Sequence, residues 1–330
     1  MVHPNLYICH TAYQVLVAMV RAMHQPTPPD LILSCAIPST QQLAGRLSAT
    51  GLFRSVRVFD EDACGNAIQK GVLRTLFLQR WMGRRNVEKY YGFSLRPADY
   101  DTIYIHNDWS VLGRYLQDLK ANYVLCEDTM ASTCKPEHPI IDQQRQLPHF
   151  SLRQKLGYGY LYWGDYKGVT AVETECAEKT NLFPEKIRQD SKAELFHQLT
   201  EPQKALIRQV FLTQPLPQNA QGAVLLLPRD FVPDGLLDAA TQQRMFAAVA
   251  KHYCSNGPLF IKAHPRDCFD YSTLFPQAVI LERTRPSEVL NFALPFRFAR
   301  AVTVESMVLN AFEVADEKIY LSLQQALDLI

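Results

Sequence analysis

An apolar run, Leu259-Phe260-Ile261, ends in Lys262-Ala263-His264-Pro265-Arg266-Asp267. Two cations and an imidazole leave one strand end, and Pro265 stops the strand and fixes the turn. That set suits a phosphate: Lys and Arg supply charge, and His donates a hydrogen bond or a proton. A plain strand end closed by an Arg266–Asp267 ion pair explains the same residues without a ligand.

Other predicted strand ends also carry chemistry. Tyr123-Val124-Leu125-Cys126 runs into Glu127-Asp128-Thr129. Adjacent carboxylates raise one another's pKa, which suits a general base; turn capping by Asp128 is the simpler alternative. Pro228-Arg229-Asp230-Phe231-Val232-Pro233-Asp234-Gly235 holds two carboxylates in a loop pinned by proline and glycine. The alternative is a plain turn with Asp234 as its cap. Thr303-Val304-Glu305-Ser306 crosses from a strand into a helical pattern. Ser306 there caps a helix whose free N–H groups attract phosphate, and a cap without a ligand explains it equally. Asp60-Glu61-Asp62 has the D-x-D spacing of a metal–nucleotide site, but so short a motif reads better as an acidic surface turn.

The elements that hold these residues alternate between short apolar strands and longer amphipathic helices. Strands are predicted at 6–10, 31–37, 56–59, 102–106 and 123–126, with helices at 13–23 and 41–49. Thr11 caps the first helix. Residues 129–200 are less regular, with prolines and an aromatic cluster from Tyr158 to Tyr166. That cluster is a dimer surface, an acceptor wall or an ordinary buried core. A polar stretch at 213–222 reads as a linker. The rhythm then restarts, with strands at 224–227, 259–262, 278–281, 298–304 and 319–321 and helices at 239–253 and 307–313. This alternation predicts an α/β protein with two doubly wound, Rossmann-like domains, residues 1–200 and 201–330, facing a central cleft.

Composition narrows the function. The 34 basic and 33 acidic residues leave a formal net charge of +1, so no nucleic-acid footprint is expected. A basic stretch from Arg74 to Lys89 reads as a solvated surface, with a membrane-surface contact as the alternative. No run approaches the ~18 apolar residues of a membrane span, and the start lacks a secretory pattern. A cytoplasmic protein is expected, peripheral at most to the inner membrane. The 8 cysteines are scattered without a C-x-x-C pair, which argues against a disulfide framework or zinc site. G-x-G-x-x-G, the P-loop and H-E-x-x-H are all missing.

Taken together, the strand-end motifs resemble those of bacterial sialyltransferases. The likeness is to glycosyltransferase family 52, the lipooligosaccharide sialyltransferases, and more distantly to the bacterial polysialyltransferases. Ile261-Lys262-Ala263-His264-Pro265-Arg266-Asp267 is similar to the family's I-K-P-H-P-R-D segment, with Ala263 in place of a proline. Cys9-His10-Thr11-Ala12-Tyr13-Gln14 is similar to its T-P-x-Q opening, with Ala12 for proline. Glu127-Asp128-Thr129 is similar to its E-D-G motif, with Thr129 for glycine. Asp234-Gly235 and Ser306 fall at its D-G and serine/threonine positions.

The resemblance implies a GT-B fold and metal-independent transfer of sialic acid from CMP-sialic acid to a galactose-type hydroxyl, with inversion. Asp234 is then the first choice for general base, with Glu127 and Asp128 next. His264 steadies or protonates the departing phosphate. Lys262, Pro265, Arg266, Glu305 and Ser306 line the donor side, and Thr11, Tyr13 and Gln14 the acceptor side. No cofactor is expected; the partners are the donor, a glycan acceptor and a possible second copy of the chain. A different donor such as a UDP-hexose is the second reading. A non-catalytic nucleotide- or glycan-binding protein is the third.

Overall fold

A computed structural model describes residues 3–61, 63–64, 87–89, 92, 94–127, 145–146, 150–155, 164–175, 177–179, 183–213, 220–255, 257–265, 267, 269–306 and 308–330. The chain forms two compact units, Met1–Leu199 and Thr200–Ile330.

Unit 1 is built on β1 (Leu6–Cys9), β2 (Asp30–Ser34), β3 (Ser55–Phe59), β4 (Ile103–Ile105), β5 (Tyr123–Cys126), β6 (Val169–Thr174) and β7 (Ile187–Gln189). Their order is β3-β2-β1-β4-β5-β6-β7, parallel throughout. The apolar runs LYIC and YVLC are buried at every position, as a parallel sheet covered on both faces requires. Leu6, Ile8, Ile105 and Leu125 pack with Leu112 and Leu116 of the helix Val111–Asp118. The helix Ala12–Ala22 starts in a capping box: Thr11 Oγ1 accepts the Gln14 N–H, and the Gln14 side chain reaches back.

Unit 2 repeats the plan with β8 (Val224–Leu227), β9 (Leu259–Ile261), β10 (Val279–Ile280), β11 (Phe298–Val304) and β12 (Ala315–Leu321). The order is β10-β9-β8-β11-β12, again parallel. Successive side chains of β8 enter opposite cores. Val224 and Leu226 meet Met245 and Phe246 of the helix Ala239–Tyr253. Leu225 and Leu227 meet Phe260, Phe298 and Leu309.

Strand order reverses between β1 and β4 in unit 1, and between β8 and β11 in unit 2. In such sheets the connections diverge at these points and leave a crevice beyond the carboxyl ends of the strands.

Three expectations are corrected. The irregular stretch 129–200 contains β6 and β7. The helix expected at 307–313 is only a short 3-10 turn, Val308–Ala311. The last strand is also longer than its apolar end suggests. β12 begins at Ala315, and its Asp316, Glu317 and Lys318 are exposed, so no apolar run marks it. Tyr158 and most of the aromatic cluster lie outside the described residues, as do 214–219 of the expected linker. Tyr166 itself is core, stacked on Tyr123 with ring centroids 5.7 Å apart.

Candidate functional site

In unit 2, β8 lies between β9 and β11, so three strand-end connections meet beside one another. Thr303 Oγ1 donates to the Leu227 carbonyl at 3.0 Å and ties the ends of β11 and β8 together. Beyond β8, Arg229 Nη2 pairs with Asp234 Oδ2 at 2.6 Å. Arg229 Nη1 also reaches the Glu305 carbonyl at 3.5 Å, and the guanidinium lies 5.4 Å from the Phe231 ring. Asp230 is held inward by Gln242 Nε2 at 3.1 Å. Asp234 itself is exposed.

Beyond β9, His264 and Pro265 are exposed. The His264 carbonyl accepts the Asp267 N–H at 2.9 Å, which closes the turn. Asp267 is buried and accepts from the Tyr271 hydroxyl at 2.7 Å. Burial pushes its carboxyl above the usual range, against the pull of Tyr271 and the Phe269 amide. Lys262 departs from the expectation of a phosphate-facing cation. It is 5% exposed, and its ammonium donates to the carbonyls of Arg283 at 2.8 Å and Ala263 at 3.1 Å. Burial lowers its pKa to about 8. Its position anchors the β9 end to the following connection.

Beyond β11, Glu305 has a left-handed backbone, φ 49, and its carboxylate accepts the Leu323 N–H at 2.9 Å. A non-glycine residue in that region is strained, and such strain clusters at functional sites. Ser306 Oγ accepts the Val308 N–H at 3.3 Å, closing the turn before the 3-10 segment. Arg266 and Asp128 lie outside the described residues.

In unit 1, Glu127 turns away from solvent. Its Oε2 accepts from the Thr174 hydroxyl at 2.8 Å and the Glu175 N–H at 2.5 Å, beyond β6. Thr11 is exposed and Tyr13 half-buried, but Gln14 is 2% exposed. Gln14 Oε1 takes the N–H groups of His10 and Thr11 at 2.6 and 3.2 Å, so local capping corrects its expected acceptor role.

The sequence reading missed three groups. Glu61 is not a surface acid: its Oε2 lies 3.1 Å from His10 Nε2, with each side chain only 12% exposed. His106, beyond β4, is buried with Nδ1 3.1 Å from the Glu127 carbonyl, and burial drives its pKa down to about 3. Asp108 is 1% exposed, and burial pushes it up to about 7. Their signal was position, since each lies within three residues of a strand end. Isolated acids and histidines carry no motif. Among the described residues, no helix is long and apolar enough to cross a membrane.

No family model matches the sequence. An uncharacterized protein of Haemophilus influenzae is 32% identical over 95 residues, 29% of this chain. The match spans 30% of that relative's length, well under two thirds. Among solved structures, the chain is similar to an α/β-galactoside α-2,3-sialyltransferase of Photobacterium phosphoreum, with a TM-score of 0.52 and 13% identity. That alignment covers 98% of this chain and 94% of the other. A 2,6-sialyltransferase of Photobacterium sp. JT-ISH-224, solved with CMP and lactose, gives a TM-score of 0.51 at 13% identity, covering 98% of this chain and 75% of the other. With the two parallel sheets, these likenesses establish the fold as GT-B type, with two Rossmann-like domains.

Proposed function

We propose that this protein is an inverting, metal-independent glycosyltransferase of the family 52 kind, moving sialic acid from CMP-sialic acid to a galactose-type hydroxyl of a surface glycan. The observation that carries this reading is the junction beyond β8 and β11, where Arg229 reaches the Glu305 carbonyl at the reversal of strand order, with His264 beyond the neighbouring strand β9. Arg229 answers phosphate charge as a fixed fork of donors. It was not among the sequence candidates, and it takes over the part expected of Lys262. His264 protonates or hydrogen-bonds the phosphate as charge develops on the leaving CMP. With charge supplied by these side chains, transfer needs no divalent ion, and activity is expected to survive EDTA.

The acceptor hydroxyl attacks the anomeric carbon as the bond to the CMP phosphate breaks. Its proton goes to a basic side chain, for which Asp234, Glu127 and Asp128 are the carboxylate candidates. Thr11 and Tyr13 remain on the acceptor side of the reading. The likeness to a structure holding CMP and lactose supports the substrate classes. The reading also expects a cytoplasmic protein, peripheral at most to the inner membrane.

A thermal-shift screen with CMP, UDP and GDP tests the reading. A ligand at 100 times its Kd stabilises the native state by about 2.7 kcal/mol. CMP is expected to raise the melting point and the others to leave it. A shift with UDP alone moves the reading to a UDP-hexose donor, and no shift with any of them removes the donor site.

A further inference from the structure

Asp234 sits in the connection that follows β8, on a turn that other groups hold in shape. Phe231 is fully buried, and its N–H donates to Gln242 Oε1 at 2.7 Å. The Gly235 N–H donates to the Val232 carbonyl at 3.0 Å, and the Leu236 N–H to the Phe231 carbonyl at 3.2 Å, so main-chain bonds close the turn. Gly235 has a left-handed backbone, φ 69, with open space where a side chain would begin. The tip therefore stands clear of the body, and the exposed Asp234 side chain swings without unfolding it.

Arg229 is also placed by groups other than Asp234. Its guanidinium lies over the Phe231 ring, and Nη1 faces the Glu305 carbonyl. That carbonyl belongs to a fixed residue: the Glu305 N–H donates to the Leu321 carbonyl at 2.9 Å, and its carboxylate accepts the Leu323 N–H. Among the described residues, Asp234 is the carboxylate paired with this guanidinium, with its Oδ2 2.6 Å from Nη2. A guanidinium grips phosphate through the same fork of N–H donors. A phosphate at Nη2 meets the Asp234 carboxylate at the same nitrogen, and two anions that close repel. The paired side chains are 41% and 48% exposed, so water receives a released carboxylate at little cost.

We infer that Asp234 is the internal counter-ion of Arg229, an autoinhibitory contact that the donor phosphate displaces. This rests on the glycosyl-transfer reading, in which Arg229 receives the phosphate of CMP-sialic acid. Before the donor binds, the chain neutralises the guanidinium with its own carboxylate. As the phosphate arrives, one ion pair replaces another: the Asp234 carboxylate turns to water, and phosphate oxygens take the N–H donors. Donor affinity is therefore lower than the guanidinium alone would give. The opposite arrangement, with Asp234 holding the fork in the aim that phosphate needs, predicts the opposite sign when the carboxylate is removed.

The test is CMP binding by calorimetry, with cytidine as the ligand that lacks the phosphate. Asp234→Asn removes the charge and keeps the shape. It is expected to tighten CMP about two- to fivefold, the worth of an exposed ion pair, and to leave cytidine unchanged. Asp234→Ser is expected to do the same, which separates loss of the charge from a new contact made by the asparagine amide. In an Arg229→Gln background, Asp234→Asn is expected to lose this effect, because the group it competes for is gone; the double-mutant cycle isolates that coupling. A CMP affinity that falls or stays the same in both neutral Asp234 variants overturns the inference. So does an equal gain with and without Arg229, or an equal gain for cytidine. These outcomes leave the glycosyl-transfer reading standing, since CMP is still bound. A wild-type protein that binds no CMP overturns that reading, and the inference with it.

Discussion

Arg229 and Asp234 are joined at 2.6 Å across the turn that follows β8, where the strand order of unit 2 reverses. The two side chains are 41% and 48% exposed, so the pair contributes at most about 1 kcal/mol to folding. Its value lies in placing a guanidinium beside the Glu305 carbonyl. Arg229→Gln is expected to leave the urea midpoint nearly unchanged while raising the KM for CMP-sialic acid about tenfold or more, the worth of a charge-assisted phosphate contact. Unfolding curves and donor-dependent kinetics check the two halves. An unchanged KM removes Arg229 from the donor.

His264 is exposed beyond β9, on a turn closed by its own carbonyl and the Asp267 amide. That bond joins two main-chain groups, which the substitution leaves in place. His264→Ala is therefore expected to keep the fold and CMP binding, and to lower transfer about 10²- to 10⁴-fold, the range of a lost acid catalyst. The loss should shrink with a donor whose leaving group needs no protonation. Full activity of the variant assigns the phosphate to other groups.

The contrast between His264 and His10 shows what was legible in the sequence. β1, β5 and β8 were readable because each is an apolar run whose burial on both faces demands one. His264 was readable because it stands in a compact motif. β7 was not, since its IRQ is half-buried or exposed and lacks an apolar pattern. The His10–Glu61 pair was not, because its members are 51 positions apart and meet only once β1 and β3 lie in one sheet. Lys262 misled for a related reason: the sequence shows a cation at a strand end, but not which carbonyls will claim it.

Asp108 is 1% exposed, with Oδ2 accepting from the Tyr123 hydroxyl at 3.1 Å and Oδ1 without a hydrogen-bond partner among the described residues. Burial pushes its pKa up to about 7, against the weaker pull of Tyr123. Between roughly pH 4 and 7 the unfolded chain has released this proton and the folded chain has kept it, so stability falls as pH rises through that window. The loss is complete above pH 7 and amounts to roughly 4 kcal/mol at most. Asp108→Asn is expected to lack this slope. Urea unfolding of both proteins at pH 5 and pH 8 isolates it, because every other titrating group is shared. Parallel behaviour would mean that the folded protein ionises Asp108 without cost.

Arg21, at the end of the helix Ala12–Ala22, places Nη2 2.6 Å from Glu173 Oε2 and 2.5 Å from Asp190 Oδ2. Its guanidinium also lies 5.3 Å from the Tyr104 ring. All three charged side chains are at most 20% exposed, and Lys192 pairs with Asp190 as well. Removing one cation from such a cluster strands a desolvated carboxylate, which costs about 3–5 kcal/mol. Arg21→Met is expected to lose that much stability by urea unfolding. Among the described residues Glu173 has no second cation, whereas Asp190 keeps Lys192, so the penalty should concentrate on Glu173. Arg21→Met combined with Glu173→Gln is therefore expected to recover a substantial part of the loss. Equal instability of the single and double variants would locate the effect in the packing of Arg21 on Tyr104, not in the stranded charge.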